Sequence, residues 1–207
     1  MALKAVLTGD IVNSTKLGAA TEKKLVKTLQ QLLANYQFEF YRGDSFQVYL
    51  KEANQALQTA LLCRSAAISI TQGEQTIASD VRISIGIGQV NTRVLSLGSA
   101  KGEAFILSGR AFDEIAGTDT RLIISTSNLL ANEGLQVIAD YINAIFKVMT
   151  GKQAAVILEL LKGLTQQEVA DKLKKSKSTI HQHVNAGKWP EIEKLINQYE
   201  NIIKHIT

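Results

Sequence analysis

The chain has 207 residues, of which 45% are hydrophobic and 20% charged, a composition that indicates a folded globular protein and excludes a largely disordered one. It contains no run of about 18 apolar residues, and its apolar start is too short for a signal peptide, so we expect a cytoplasmic protein without a membrane partner. The net charge of +4 is uneven, because residues 151–207 hold nine lysines against six acidic residues, a surplus compatible with phosphate contacts.

Residues 1–126 alternate between strand and helix patterns. In chain order, we predict a strand over 4–12, a helix over Thr21–Asn35, strands over 37–41 and 45–50, a helix over Ala53–Ile70, a strand over 81–90, a helix over Gly102–Ile115 and a strand over 121–126. Gly86 and Gly88 within the fourth strand indicate a bulge or a close backbone approach. The order predicts an α+β domain with helices on one face of an antiparallel, ferredoxin-like sheet.

After Thr126 the strand patterns stop. We predict helices over Gln136–Val148, Lys152–Leu161, Gln166–Leu173, Ser178–Ala186 and from Pro190 onward. Thr150-Gly151 is a suitable boundary between the two kinds of pattern. The sequence therefore predicts two domains: an α+β domain over residues 1–148 and a small all-α domain over residues 149–207.

Two acidic residues each follow a glycine where a strand pattern ends. Asp10 lies in "TGDIVNST", and Asp44 lies at the bend of a hairpin that includes Arg42 and Gly43. If the two strands are neighbours, the carboxylates converge and repel each other, unless a cation neutralises them or one stays protonated. Mg²⁺ and Mn²⁺ suit such a site, since carboxylates bind them and Mg²⁺ is often shared with phosphate oxygens.

The residues after Ile11 lead into the next helix, where backbone N–H groups can bind phosphate. The predicted phosphate-binding residues are Val12, Asn13, Ser14 and Thr15. Together with the two acids they predict the geometry of metal-assisted phosphoryl transfer. The alternative is structural: Asp10 ends the strand and caps the turn, and Gly43-Asp44 is an ordinary turn.

Four stretches, "TGDIVNST", "YRGDSF", "VRISIGIG" and "GEAFILSGRAF", follow one another as in class III nucleotide cyclase homology domains, which this chain resembles over residues 5–125. "GDIVNST" and "GDSFQ" are also similar to the SatD family of bacterial proteins. The resemblance implies that Asp10 and Asp44 bind metal and that Arg110 steadies transition-state charge. It also implies a head-to-tail homodimer in which Arg110 faces the acids of the other chain. An exposed surface arginine is the alternative for Arg110.

Two positions depart from the cyclase pattern. Phe40 stands four residues before the second acid, where the resemblance implies a base-reading lysine, and Ile106 stands four residues before Arg110, where it implies an asparagine. Neither side chain can form a hydrogen bond with a base or a ribose. We therefore expect no appreciable conversion of ATP or GTP to cyclic products, whereas a metal or nucleotide pocket used for sensing stays open.

The stretch "LTQQEVADKLKKSKSTIHQHVNAGK" predicts two short helices around a turn. Ser176 is placed to cap the second helix, and Lys174 stands near the place of the usual turn glycine. The predicted inward residues are Val169, Ala170, Leu173, Ile180 and Val184. Residues 152–187 resemble the helix-turn-helix of bacterial response regulators and sigma factors.

The exposed side of this pair of helices predicts contacts with DNA. The candidate residues are Lys174, Lys175, Lys177, Ser178, Thr179, His181, Gln182 and Asn185. Lysines suit phosphate groups, and glutamine and asparagine suit base edges. The alternative is a helical bundle for protein contacts or dimerisation, because polar exposed faces are ordinary on helices.

These patterns favour a cytoplasmic DNA-binding regulator, working as a homodimer, with a degenerate cyclase-like domain for sensing or dimerisation. One alternative is a divergent metal-dependent nucleotide cyclase or phosphotransferase that uses Asp10, Asp44 and Arg110. The other is a non-catalytic interaction scaffold that binds no DNA.

Overall fold

The computed structural model describes residues 3–41, 43–70, 79–91 and 93–206, so Arg42 of the predicted hairpin lies outside the described residues. The strands are β1 (Lys4–Ile11), β2 (Gln37–Tyr41), β3 (Ser45–Leu50), β4 (Val81–Gly88) and β5 (Leu122–Thr126). The helices are α1 (Ala19–Leu33), α2 (Ala56–Ile70), α3 (Glu103–Ile115), α4 (Leu129–Lys147), α5 (Gly151–Leu161), α6 (Gln166–Leu173), α7 (Lys177–Ala186) and α8 (Trp189–Ile206). Within these ranges, no helix is both long enough and apolar enough to cross a membrane.

The strands form one sheet in the order β2-β3-β1-β4-β5. The first four are antiparallel neighbours, and β5 is parallel to β4. The unit β1-α1-β2 spans β3, and β3-α2-β4 spans β1, which is the ferredoxin-like arrangement. The predicted α+β class is confirmed. Strand β5 is parallel to β4 because the connection between them, which contains α3, crosses one face of the sheet.

The helices cover both faces of the sheet, whereas the sequence predicted one covered face. Leu7 and Ile85 join the cluster that includes α1 and α2, and Val6 packs with α3 on the other face. A side chain at Gly86 would collide with the backbone of Ala104 and Ser108, so glycine permits the close approach of α3. The one-face prediction was wrong because β4 is buried almost throughout, which is typical of a strand covered on both faces.

Helix α4 begins seven residues before its predicted start at Gln136. The Asn128 side chain caps it by accepting the N–H of Ala131 at 3.0 Å. Leu129 and Leu130 in its first turn are 80% and 83% exposed. Both lie out of phase with the buried positions Ala131, Leu135 and Ile138, so they obscure the helical period at the start of α4.

The C-terminal helices share one continuous core with the sheet. Helix α5 packs along α2, and α8 packs against α4. Gln58 donates to the carbonyl of Leu161 at 2.7 Å, and the buried hydroxyl of Tyr199 donates to the carbonyl of Ala53 at 2.7 Å. The division at residues 148 and 149 stays a prediction, with the polar contacts just named crossing it.

Candidate functional site

The ends of β1 and β3 bring Asp10 and Asp44 to the same end of the sheet. Asp10 is paired in register with Ser45, and the N–H of Ile11 donates to the carbonyl of Asp44 at 3.0 Å. The hydroxyl of Ser14 donates to Oδ2 of Asp44 at 2.7 Å. The hydrogen bond from Ser14 orients the Asp44 carboxylate at the end of the strand that carries Asp10.

Asp10 has the more unusual surroundings of the two acids. Burial raises the pKa of its carboxyl, the Arg82 guanidinium opposes that shift, and the negative charge of Asp44 adds to it. Nη1 of Arg82 lies 3.8 Å from Oδ2 of Asp10. Among the described residues, the buried Oδ1 of Asp10 has no hydrogen-bond partner. A buried oxygen of this kind requires a proton, a water molecule or a cation.

The two carboxylates fit a divalent cation that draws its other ligands from solvent or substrate. Oδ1 of Asp10 is a ligand atom without a protein partner in the described part of the chain, and Asp44 supplies a second carboxylate beside it. The described ranges contain no group of three or more His, Cys, Asp or Glu side chains placed to hold a metal. Mg²⁺ commonly accepts one or two carboxylates and keeps waters or phosphate oxygens.

The predicted phosphate-binding residues differ in their backbone conformation and hydrogen bonds. The N–H of Val12 donates to the carbonyl of Asp80 at 2.9 Å, so that group is occupied. Asn13 adopts the left-handed conformation, with φ of 61°. Ser14 and Thr15 open a 3-10 turn over Ser14–Lys16. The Val12 N–H is therefore not available to phosphate, and the phosphate role of Asn13, Ser14 and Thr15 stays a prediction.

Arg110 lies on α3 and is exposed. The opposite side of that helix is buried: the Ser108 hydroxyl lies 2.7 Å from the Thr8 hydroxyl on β1. Among the described residues, Arg110 forms no ion pair with Asp10 or Asp44. The predicted role of Arg110 at these acids therefore requires a second chain.

The two positions that depart from the cyclase pattern have different surroundings, Phe40 among aromatic side chains and Ile106 at an open cleft. The ring of Phe40 lies 5.4 Å from that of Phe46, between centroids, and packs against the main core. Ile106 is 54% exposed and lines an open cleft of about 580 Å³ between α3 and the sheet. The cleft is also lined by Thr8, Tyr41, Gln47, Lys101 and Phe105.

Arg82 lies beside Asp10 at the candidate site and was not predicted from the sequence. It lies directly opposite Asp10 in the register of β1 and β4. Opposite charges across antiparallel strands are a common stabilising pair. The signal was present in "VRISIGIG", but it becomes visible only when the register of the two strands is known.

The turn between α6 and α7 is built by three residues. Lys174 ends α6 in the left-handed conformation, with φ of 53°, and so takes the role that glycine usually has. The N–H of Lys175 donates to the carbonyl of Ala170 at 3.0 Å. Oγ of Ser176 accepts the N–H of Thr179 at 3.2 Å, which confirms the predicted cap of α7.

The inner and outer faces of this helix pair are divided as predicted. Four predicted inward residues are buried, namely Val169, Ala170, Ile180 and Val184, and Leu173 is half-buried. Of the eight candidate DNA-binding residues, Thr179 is half-buried and the other seven are exposed. On the outer face, Nδ2 of Asn185 lies 3.1 Å from Nε2 of His181. The outer face is therefore open to a partner.

Lysines concentrate around the turn. Residues 172–190 contain five lysines and no acidic residue. Lys172 is held by Glu159 at 2.7 Å and Lys188 by Glu191 at 3.5 Å. In the part of the chain that the structure describes, Lys174, Lys175 and Lys177 form no ion pair. Their three charges are available to an anionic partner.

Glu159 fixes the position of α6 against α5. Its carboxylate is nearly buried and binds Lys162 at 3.0 Å and Lys172 at 2.7 Å. Burial raises the pKa of Glu159, but hydrogen bonds from the two lysines outweigh burial and lower it below its ordinary value. The ion pairs therefore hold at neutral pH and help to set the angle at which α6 and α7 are presented.

No family model matches the sequence, and no curated protein matches it. Three solved structures are similar in part. One is the active GGEEF domain of a diguanylate cyclase from Vibrio cholerae, with 14% identity, coverage of 61% of this chain and 84% of that chain, and a TM-score of 0.43. A bacterial light-regulated adenylyl cyclase has 13% identity, 60% and 76% coverage and a TM-score of 0.44. The guanylyl cyclase Cya2 has 15% identity, 59% and 74% coverage and a TM-score of 0.38.

Proposed function

We propose that this protein is a SatD-like, DNA-binding regulator of transcription, in which α7 enters the major groove and the sheet domain serves sensing or dimerisation. The observation that carries the proposal is the cluster of Lys174, Lys175 and Lys177 at the start of a helix with a polar outer face. Residues 149–207 would then be the DNA-binding domain and residues 1–148 the sensing or dimerisation domain.

The packing of α7 suits groove recognition. Its inner face is covered by α5, α6 and α8, and its outer face is open. A helix of ten residues is about 15 Å long, and the major groove is about 12 Å wide. In a helix-turn-helix, the N-terminal residues of the second helix contact bases, and here that end carries Lys177 and Ser178.

The chemistry of the outer face favours DNA over a protein partner. A protein-binding surface usually centres on apolar or aromatic anchors. None of the eight candidate residues on this face is apolar, and the segment around them carries no acidic residue to repel phosphate. Lysine contacts with phosphate position a protein on DNA, and side-chain amides read bases.

Replacing Gln182 and Asn185 together by alanine should reduce discrimination between DNA sequences. Each lost base contact is expected to cost about 1–3 kcal/mol on the preferred site and little on unrelated DNA. The preferred site would be selected from a random library, and fluorescence anisotropy at one salt concentration would then compare it with a scrambled site. Replacing the exposed Gln30 and Gln31 of α1 by alanine is the matched control. Equal losses on both DNAs, or no loss, would contradict base reading by α7.

We further propose that the sheet domain binds a divalent cation together with phosphate. Support comes from the buried Oδ1 of Asp10, which has no hydrogen-bond partner among the described residues. Asp10 and Asp44 would hold the cation, which when bound would neutralise phosphate charge. Ser14 orients Asp44, and Arg82 competes with the cation for Asp10 but offers a positive charge to phosphate. Because Phe40 and Ile106 offer no polar contact to a base, this arrangement favours sensing over turnover, and phosphoryl transfer with Arg110 stays the alternative.

Asp44→Asn should weaken Mn²⁺ or Mg²⁺ binding by about tenfold or more. Mutating a residue that only orients a metal's ligands typically costs about tenfold or more in affinity, and Asp44 is a proposed ligand itself. Isothermal titration calorimetry of both proteins with the metal salt alone measures the difference. Asp113→Asn, which changes an exposed acid on α3, is the matched control. If the wild-type protein and Asp44→Asn bind the metal equally, the two acids do not form a cation site.

A further inference from the structure

Helix α4 and the residue that follows it, Val148, carry a row of apolar side chains that face solvent, here called the α4 stripe: Leu130, Val137, Tyr141, Ala144 and Val148. Its four large members are 83%, 68%, 49% and 78% exposed in chain order. Steps of seven, four, three and four residues keep all five on one side of a helix. The stripe is therefore a continuous apolar surface along the whole of α4.

The other side of α4 is already used by the core. Leu135, Ile138 and Ile142 are buried against the sheet and the neighbouring helices. An α-helix that is apolar on both sides is expected to be covered on both. Within the described ranges, nothing covers the α4 stripe, so its cover has to come from outside them.

The spacing of the stripe matches an antiparallel copy of itself. The positions are symmetric about residue 139, because Leu130 and Val148 lie nine residues either side of it and Val137 and Tyr141 lie two either side. With a two-fold axis at the level of residue 139, each large side chain meets a large one. Ala144 then falls opposite the partner's Gly134. Gly134 borders α8, because a Cβ added there would lie 3.1 Å from Cδ1 of Ile202.

The charges beside the stripe are complementary in the same arrangement. Glu133 and Lys147 are exposed on the same flank of α4, near its two ends. Antiparallel pairing sets Glu133 beside Lys147 of the partner subunit, twice per dimer. In parallel pairing, equivalent residues would lie on opposite flanks of the seam, so these pairs would not form. Asp140, on the same flank, comes near Asp140 of the partner subunit, which costs some affinity.

We propose that the α4 stripe is the surface on which two copies of this chain associate, antiparallel, about a two-fold axis that crosses the stripe at the level of residue 139. The surface is the same patch on both chains, as closed two-fold symmetry requires. Helix α4 has 19 residues and is about 28 Å long, so the pair buries less than the roughly 800 Å² per partner of a standard interface. The dimer is accordingly reversible.

Sedimentation velocity of the full chain over a concentration series tests the association. Glu133→Lys and Lys147→Glu should each weaken the dimer several-fold, the double variant should restore it, and Asp140→Asn should tighten it. Glu114→Lys should leave the dimer unchanged, since Glu114 is exposed on α3 and not on this surface. A protein that stays monomeric, or a double variant no better than its singles, would overturn the proposal.

Cysteine cross-linking tests the antiparallel direction. The only native cysteine, Cys63, is fully buried and gives little background. A mixture of Leu130→Cys and Val148→Cys chains should form mixed disulfide dimers on oxidation. Each variant alone should not cross-link, because equivalent positions lie about 27 Å apart along antiparallel helices. Cross-linking of Leu130→Cys alone would indicate parallel pairing, and absence of the mixed dimer would exclude the surface.

Discussion

Replacing Lys174, Lys175 and Lys177 together by glutamine should lower the affinity for DNA of any sequence by roughly a thousandfold at about 50 mM salt. Each phosphate contact that is lost removes about 0.9 from the slope of log affinity against log salt, so the triple variant should lose about 2.7. The effect is large because the three ammonium groups are exposed and no carboxylate in the described ranges pairs with them.

The salt dependence separates a DNA contact from a general effect of charge. Affinity would be measured by anisotropy on one duplex from low to moderate salt, for the wild-type chain and the variant. Replacing Lys23, Lys24 and Lys27 on α1 by glutamine is the control, since it removes the same charge from another exposed helix. If both triple variants lose the same affinity, α7 is not the DNA surface. A wild-type chain with no salt-dependent binding would exclude the function itself.

Asp80→Asn should reduce the free energy of unfolding by about 3–5 kcal/mol, because it leaves the buried guanidinium of Arg64 without its carboxylate. Arg64 is 1% exposed. Its Nε and Nη2 donate to the two oxygens of Asp80 at 3.1 and 2.7 Å, and its Nη1 donates to Asn143 at 3.1 Å. The guanidinium also lies 4.6 Å from the ring centre of Phe146. These contacts join α2, the start of β4 and α4.

Urea unfolding followed by circular dichroism measures this loss. Asp119→Asn, which changes an exposed acid, should leave stability within about 0.5 kcal/mol of the wild type and is the control. The double variant Arg64→Met, Asp80→Asn should be more stable than Asp80→Asn alone, because it removes the unpaired buried charge. If Asp80→Asn loses little free energy of unfolding, or if the double variant is less stable than Asp80→Asn, the ion pair between Arg64 and Asp80 does not contribute this stability.

The sequence by itself determined the features that depend on neighbours along the chain. The order of strands and helices, the cap at Ser176, the outer face of α7 and the position of Asp10 and Asp44 at strand ends were all predicted from local spacing. These features depend on period, turn residues and side-chain hydrogen bonds within a few residues. The fold class follows from them, because few arrangements of such elements bury every apolar face.

Only the tertiary structure decided the features that depend on residues far apart in the chain. The register of β1 and β4 places Arg82 beside Asp10, and the packing of α3 on Gly86 covers the second face of the sheet. The carbonyl of Asp80 occupies the N–H of Val12. The α4 stripe looks in the sequence like more core, and its exposure became evident only when every neighbouring helix was in place. The spacing of apolar residues shows which side of a helix is apolar. Long-range packing decides whether another element of the fold covers that side.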